Sequence, residues 1–131
     1  MEPKLFIAIV DDDPSVLKGL ARLLRSHGCA VGPFASGHDF LKSLAAAKPD
    51  CLILDVQMPE MNGLELQARL AALRVALPVI FITAHKDEAT RQLALRGGAA
   101  AYLHKPVSDE PLWAAISAAC QNGAETAVRA G

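Results

Sequence analysis

Asp11 and Asp12 follow one short apolar run, Asp55 closes another, and Thr83 and Lys105 stand at the ends of two more. Carboxylates gathered into one site repel one another, which raises their pKa values and costs stability unless a cation joins them. An all-oxygen donor set of carboxylate and water suits a hard divalent ion, Mg2+ with Mn2+ as a substitute. Zinc is a poorer fit, because no Cys or His pair has zinc-ligand spacing. Lys105 adds a second positive charge, Thr83 a hydrogen-bond donor and the loops backbone N–H groups, which together describe a site for a tetrahedral oxyanion such as phosphoryl. A carboxylate in the middle of such a site, Asp55, can attack phosphorus and give an aspartyl phosphate. Neither GxxxxGK[ST] nor GxGxxG follows the first apolar run, so a nucleotide in a glycine-rich cradle is not expected.

These residues act together only if the elements before them line up. Leu5 to Val10, Cys51 to Leu54 and Val79 to Ile82 are continuous apolar runs too short for helices, which reads as strands buried on both faces. Cys29 to Phe34 gives a weaker second strand, disturbed at its end by Gly32 and Pro33, and Ala100 to His104 a short fifth. Between them lie helical patterns. The first opens with Asp13-Pro14 as cap and first-turn proline and stops at Gly28. The second starts at Ser36, approximating a capping box with Asp39. A third carries Leu64, Leu66, Leu70 and Leu73, a fourth runs from about Asp87 to Arg96, and a last from about Ser108 to Gln121. Strands alternating with helices predict an α/β fold: a five-stranded parallel sheet, doubly wound, with helices on both faces and right-handed crossovers. In such sheets the functional crevice lies beyond the carboxyl ends of the strands at the switch point of the winding, which is where Asp11, Asp12, Asp55, Thr83 and Lys105 fall.

In this order the residues resemble the receiver domain of two-component response regulators, with a flavodoxin-like, CheY-like fold. The resemblance covers roughly Leu5 to Gln121 and rests on Ile9-Val10-Asp11-Asp12-Asp13, Leu54 to Gly63, Thr83-Ala84 and Gly98 to Pro106. It implies that Asp55 accepts a phosphoryl group from a phosphohistidine on a sensor histidine kinase or phosphotransfer protein. It implies Mg2+ ligation by Asp12, Asp55 and the backbone carbonyl of Gln57, with Asp11 acting through water. Lys105, Thr83 and the backbone of Val56 and Ala84 would bind the phosphoryl group, and small Ala84 would leave room for it. Thr83 and Tyr102 would switch, Tyr102 turning inward, and Lys105-Pro106 would be a cis peptide. The output surface would be the fourth helix, fifth strand and fifth helix, serving dimerisation or a partner. Gln57 and His85 depart from the commoner pattern, as does Val107; the first two would tune the lifetime of the acyl phosphate. Residues 1–121 form the receiver in this reading, and 122–131 a flexible tail or the start of a linker. The chain is similar to receivers that precede DNA-binding output domains.

Blander roles weigh on several of these residues. Asp13 is expected as a helix cap, Met58, Pro59 and Met61 as loop packing, and Trp113 as a half-buried helix residue. His27, His38 and His104 are expected at the surface or at strand ends. Cys29, Cys51 and Cys120 are odd in number and form no CxxC, which points to a reducing cytoplasm and to packing as small apolar groups.

The chain has 131 residues, 52% of them apolar and 21% charged, which excludes intrinsic disorder and suits one domain with its own core. Thirteen basic residues balance fourteen acidic ones, so no global field draws it to nucleic acid or anionic lipid. No helix-turn-helix segment follows the fifth helix, and direct DNA binding by this chain is not expected. Val75 to Ala84 is interrupted by Pro78 and too short to span a bilayer, and the N-terminus lacks a signal-peptide pattern. Two other functions compete. A metal-dependent phosphohydrolase with an aspartyl-phosphate intermediate usually needs a second acid two residues after the nucleophile, where Gln57 stands, and length for a substrate cap. A flavin module of the same topology needs a Ser/Thr-Gly loop after the first strand. The expected role is a signalling phosphoacceptor rather than an enzyme acting on an external substrate.

Overall fold

Each apolar run is a strand of one sheet. In a computed structural model that describes the backbone of residues 4–130 and the side chains of residues 4–120, the elements follow in strict alternation: β1 (Phe6–Val10), α1 (Pro14–Ser26), β2 (Ala30–Phe34), α2 (Gly37–Ser43), β3 (Cys51–Asp55), α3 (Gly63–Ala72), β4 (Val79–Thr83), α4 (Glu88–Arg96), β5 (Ala101–His104) and α5 (Asp109–Ala130). The strands are all parallel, in the order β2-β1-β3-β4-β5. The winding reverses between β1 and β3, so the crevice there opens beyond Val10 and Asp55.

The period of two along each strand divides the core into two halves. Ile7, Ile9, Cys51, Ile53, Ile80 and Ile82 pack with Leu20, Leu24, Leu112 and Ile116 of α1 and α5. Ala8, Val10, Leu52, Leu54 and Phe81 pack with Phe40, Leu66, Leu70 and Ala94 of α2, α3 and α4. Both faces are covered, which is why β3 and β4 read as unbroken apolar runs without polar alternation.

One boundary differs from the sequence expectation, at α5, whereas β2 runs through Gly32 and Pro33 to Phe34 as expected, in register with β1. It lies at the sheet edge, where the N–H that proline lacks is not needed by a second neighbour. The helix α5 runs to Ala130 rather than ending near Gln121. That stretch contains Ala124, Ala127 and Ala130 and no proline, a composition that lets a helix propagate. Helix starts follow their caps: Asp13 accepts the Ser15 N–H with Pro14 in the first turn, and Ser36 accepts that of Asp39. At α1's end Gly28 takes φ +86°, a conformation glycine adopts without a Cβ penalty.

Candidate functional site

The loops after β1, β3, β4 and β5 meet at one edge of the sheet. Asp11 leaves β1 fully buried, and its backbone N–H is tied to Phe34 of β2. Its Oδ1 accepts the N–H of Asp13 at 2.9 Å, so the cap of α1 and the acid beside it form one turn. Its Oδ2 lies 2.8 Å from Lys105 Nζ as an ion pair but has no hydrogen bond of good geometry. Asp55 is 4% exposed, and its Oδ1 lies 3.3 Å from the same ammonium. Asp12 is exposed beside them.

One ligand oxygen from each of Asp11, Asp12 and Asp55 falls within a common 4.8 Å. Burial drives the Asp55 carboxyl up to about 6; the Asp11 charge adds to this, and Lys105 opposes it. Burial also pulls the Lys105 ammonium down, but Asp11 and Asp55 outweigh that and leave its pKa above the usual lysine value. Three carboxylates facing one lysine leave an excess of negative charge, and buried Asp11 Oδ2 has only an ammonium that it shares with Asp55. An all-oxygen donor set with these two deficits fits a hard divalent cation.

The response regulator receiver domain family matches residues 7–117. The chain belongs to that family. It is similar to the response regulator protein TmoT of Ectopseudomonas mendocina, 44% identical over 113 residues, with 86% of this chain and 51% of TmoT covered. The transcriptional regulatory protein FixJ of Azorhizobium caulinodans is 37% identical over 125 residues, 95% of this chain and 59% of FixJ. Among solved structures, a response regulator receiver protein from Burkholderia phymatum is 50% identical, with a TM-score of 0.80 over 90% of this chain and 96% of its own. The chain spans about half the length of the curated relatives it matches.

In this receiver the remaining expected residues lie around the acidic centre. The Lys105-Pro106 peptide is cis, and Lys105 is held over the carboxylates by its N–H to the Thr83 carbonyl at 2.7 Å. Thr83 is 1% exposed, and its hydroxyl is engaged locally, accepting the His85 N–H at 3.1 Å. Ala84, His85 and Gln57 are exposed at the mouth. Tyr102, half-buried on β5, has its ring 6.2 Å from Phe81 and 6.0 Å from His104. Its hydroxyl is buried and has no hydrogen-bond partner; burial raises its pKa, and the neighbouring Thr83 works against that.

One expected donor is spoken for. The Val56 N–H donates to the Ile82 carbonyl at 3.2 Å, extending the β3–β4 ladder by one bond. Val56 itself is buried, with this N–H in the ladder.

Several positioning residues are not apparent from chemistry alone. Gly63 approaches the end of β3 so closely that a Cβ there would lie 2.4 Å from the Asp55 carbonyl, while its N–H binds the Val56 carbonyl at 2.8 Å. This fixes the loop that carries Gln57. Asn62 and Glu65 form a full capping box for α3, a signal that their spacing carries in the sequence. Gln67 donates to the Ala94 carbonyl at 2.9 Å and ties α3 to α4. His27, expected at the surface, stacks on half-buried Trp113 at 4.2 Å and binds Asp109 at 2.6 Å, joining α1 to α5.

Proposed function

We propose that this receiver takes a phosphoryl group from a phosphohistidine of a sensor histidine kinase, or of a phosphotransfer protein, onto Asp55. The observation that carries this reading is the position of Asp55: buried at the switch point, with Lys105 Nζ 3.3 Å away and Asp11 sharing that ammonium. A carboxylate oxygen of Asp55 attacks phosphorus, the P–N bond to the donor imidazole breaks, and the leaving nitrogen keeps the bonding pair. An acyl phosphate is the product. Lys105 balances charge on a phosphoryl oxygen as it moves from imidazole to carboxylate, and it is poised there before the donor arrives.

Asp12, Asp55 and the backbone carbonyl of Gln57 would hold Mg2+, with Asp11 acting through water. When bound, the ion supplies positive charge that offsets the carboxylates and the incoming phosphoryl oxygens. After transfer, the Thr83 hydroxyl would leave His85 and donate to the phosphoryl group, with the Ala84 N–H as a second donor. Tyr102, whose hydroxyl is already buried without a partner, would follow Thr83. Such a shift would alter the α4-β5-α5 surface and control dimerisation or an output partner. The similarity to a relative named as a transcriptional regulator, of which this chain covers 59%, supports a DNA-binding output domain as that partner.

The test is intact mass after incubation with acetyl phosphate and Mg2+, comparing wild type, a chelator control and Asp55→Asn. Wild type gains one phosphoryl group only with metal, and Asp55→Asn gains none. Equal labelling of Asp55→Asn would remove Asp55 as the acceptor. Among the described residues no helix is long and apolar enough to cross a membrane. We place the chain in the cytoplasm, with the phosphohistidine donors that the proposed transfer requires.

A further inference from the structure

Helix α4 leads from the Thr83 end of β4 to the start of β5, and it is packed firmly at one end only. Of its nine residues Ala94 alone is buried; Thr90 is half-buried and the rest are exposed. The turn beyond Ala94 closes as a Schellman motif. The Ala99 N–H returns to the Ala94 carbonyl at 3.1 Å, the Gly98 N–H to that of Leu95 at 3.0 Å, and Gly98 takes φ +98°. Gln67 of α3, itself buried, docks on this motif. Its Nε2 donates to the same Ala94 carbonyl at 2.9 Å, and a Cβ on Gly97 would lie 2.5 Å from its Oε1, so the two helices meet there without room for a methyl group. We propose that Gln67, seated against Ala94 and Gly97, is the pivot of α4: the helix swings at its Asp87 end while its Gly97 end stays fixed to α3.

The two ends of the helix are held in different ways. At the Asp87 end a cleft of about 220 Å3 lies between α4 and β5, lined by Lys86, Asp87, Glu88, Arg91, Tyr102 and His104. The side-chain bonds there are local: Asp87 accepts the Ala89 N–H and the Thr90 hydroxyl, and Glu88 accepts from Arg91 and Gln92. Bonds of this kind travel with the helix and do not tie it to the sheet. At the other end the contact is a buried amide, which costs most when it is left unmade and so holds while the rest of the helix turns. From Glu88 to Ala94 the arm of the swing is about 9 Å long.

The inference deepens the proposed function and rests on it, because Thr83 supplies the drive. Exposed Ala84, His85 and Lys86 link Thr83 to the cap of α4, and the Thr83 hydroxyl accepts the His85 N–H. When that hydroxyl turns to a phosphoryl group, the His85 turn is released and the Asp87 end moves with it. The cleft over Tyr102 then changes shape, while α3 and the loop that carries Gln57 stay in place. Gln67 is a positioning residue in this scheme, remote from the acceptor.

The experiment is residue-resolved amide hydrogen exchange and amide resonance mapping on the full chain with Mg2+, before and during incubation with excess acetyl phosphate. It compares wild type, Gln67→Leu and Gly97→Ala. The Ala94 carbonyl keeps the Ala99 N–H when Gln67 is lost, so Gln67→Leu leaves no orphaned carbonyl. Before phosphorylation, wild-type Gly97, Gly98 and Ala99 should exchange more slowly than Arg91 and Gln92. Gln67→Leu should speed exchange at Gly97 to Ala99 by about tenfold and leave Leu66 and Leu70 of α3 unchanged. Gly97→Ala, whose Cβ displaces the amide from the other side, should do the same. With acetyl phosphate, wild-type resonances should move most from Lys86 to Thr90 and least at Gly97 to Ala99, whereas in Gln67→Leu the movement should extend through Ala99. Unchanged Ala99 exchange in both variants would overturn the proposal, as would faster exchange spread evenly over α3 and the core strands, or wild-type movements at Gly97 to Ala99 equal to those at Asp87 to Thr90. Intact mass of the same samples counts phosphoryl groups. A chain that takes none sinks the proposed function, and the exchange measured before phosphorylation still decides whether Gln67 holds α4 by one end.

Discussion

Lys105 Nζ lies 2.8 Å from Asp11 Oδ2, nearer than its 3.3 Å approach to Asp55 Oδ1. The lysine is thus held first by the acid that is not the proposed acceptor. Asp11 is fully buried, and among the described residues Lys105 is the only cation paired with it, so the pair is set by the fold.

Removing that cation leaves a buried carboxylate uncompensated. Lys105→Met is expected to lower stability at pH 7 by about 1–3 kcal/mol. Adding Asp11→Asn should restore most of the loss, because the charge left alone is then gone. A double-mutant cycle by urea denaturation reads the coupling. Independent, additive losses would show that the 2.8 Å contact carries no energy.

The Asp55 carboxyl is raised from 3.8 to about 6 by burial first and the Asp11 charge second. Between those values the folded protein holds a proton that the unfolded chain has released. The unfolded state therefore binds fewer protons, and stability falls as pH rises through the window from about 4 to 6. Asp55→Asn cannot titrate, so it should be more stable than wild type at pH 7 by about 1–3 kcal/mol and nearly equal to it below pH 4. Mg2+ should narrow the gap by stabilising wild type, by about 2.7 kcal/mol at a hundredfold excess over its Kd, with little effect on Asp55→Asn. Thermal unfolding from pH 3.5 to 7.5, with Mg2+ or a chelator, measures both effects. A wild-type curve parallel to that of Asp55→Asn would count against the raised carboxyl.

Gly63 is needed for its missing side chain. A Cβ would lie 2.4 Å from the Asp55 carbonyl and 3.0 Å from the Val56 Cα, both backbone atoms that cannot swing aside. Gly63→Ala should cost about 1–3 kcal/mol and slow labelling of Asp55 by acetyl phosphate, since the loop and strand end must part. Unchanged denaturation midpoint and labelling rate would mean that the loop yields freely.

Gln57 and His85 are exposed at the mouth of the site, two residues beyond Asp55 and Thr83. Under the proposed function, groups so placed would control water reaching the acyl phosphate. Gln57→Ala and His85→Ala should change the rate of phosphoryl loss by about tenfold, equivalent to 1.4 kcal/mol in barrier, while the rate of gain changes less. Time courses of intact mass after removal of acetyl phosphate would decide, and equal loss rates in all three proteins would assign the lifetime elsewhere.

Much of this site is legible in the chain because local rules and the global fold agree. Apolar runs ending in Asp11, Asp55 and Thr83 are strands, and parallel strands joined by right-handed crossovers place all their ends on one side. Asp13 caps α1, as the Asp-Pro dipeptide indicates. What the chain leaves unsaid depends on partners distant in sequence: that β2 is an edge, where Pro33 needs no second neighbour, is not revealed by the strand's own residues, and the Val56 N–H is taken by Ile82 of the neighbouring strand.

The sequence by itself determined that there are five strands and five helices, which residues line the functional edge, and that their charge calls for a cation. Period, capping and strand-end chemistry are local properties, written within a few residues. Only the tertiary structure decided that Lys105 leans first on Asp11 and that Gly63 must lack a side chain to close against Asp55. Those are distances between atoms far apart in the chain, set by how two helical layers close over a twisted sheet, and no local pattern encodes them.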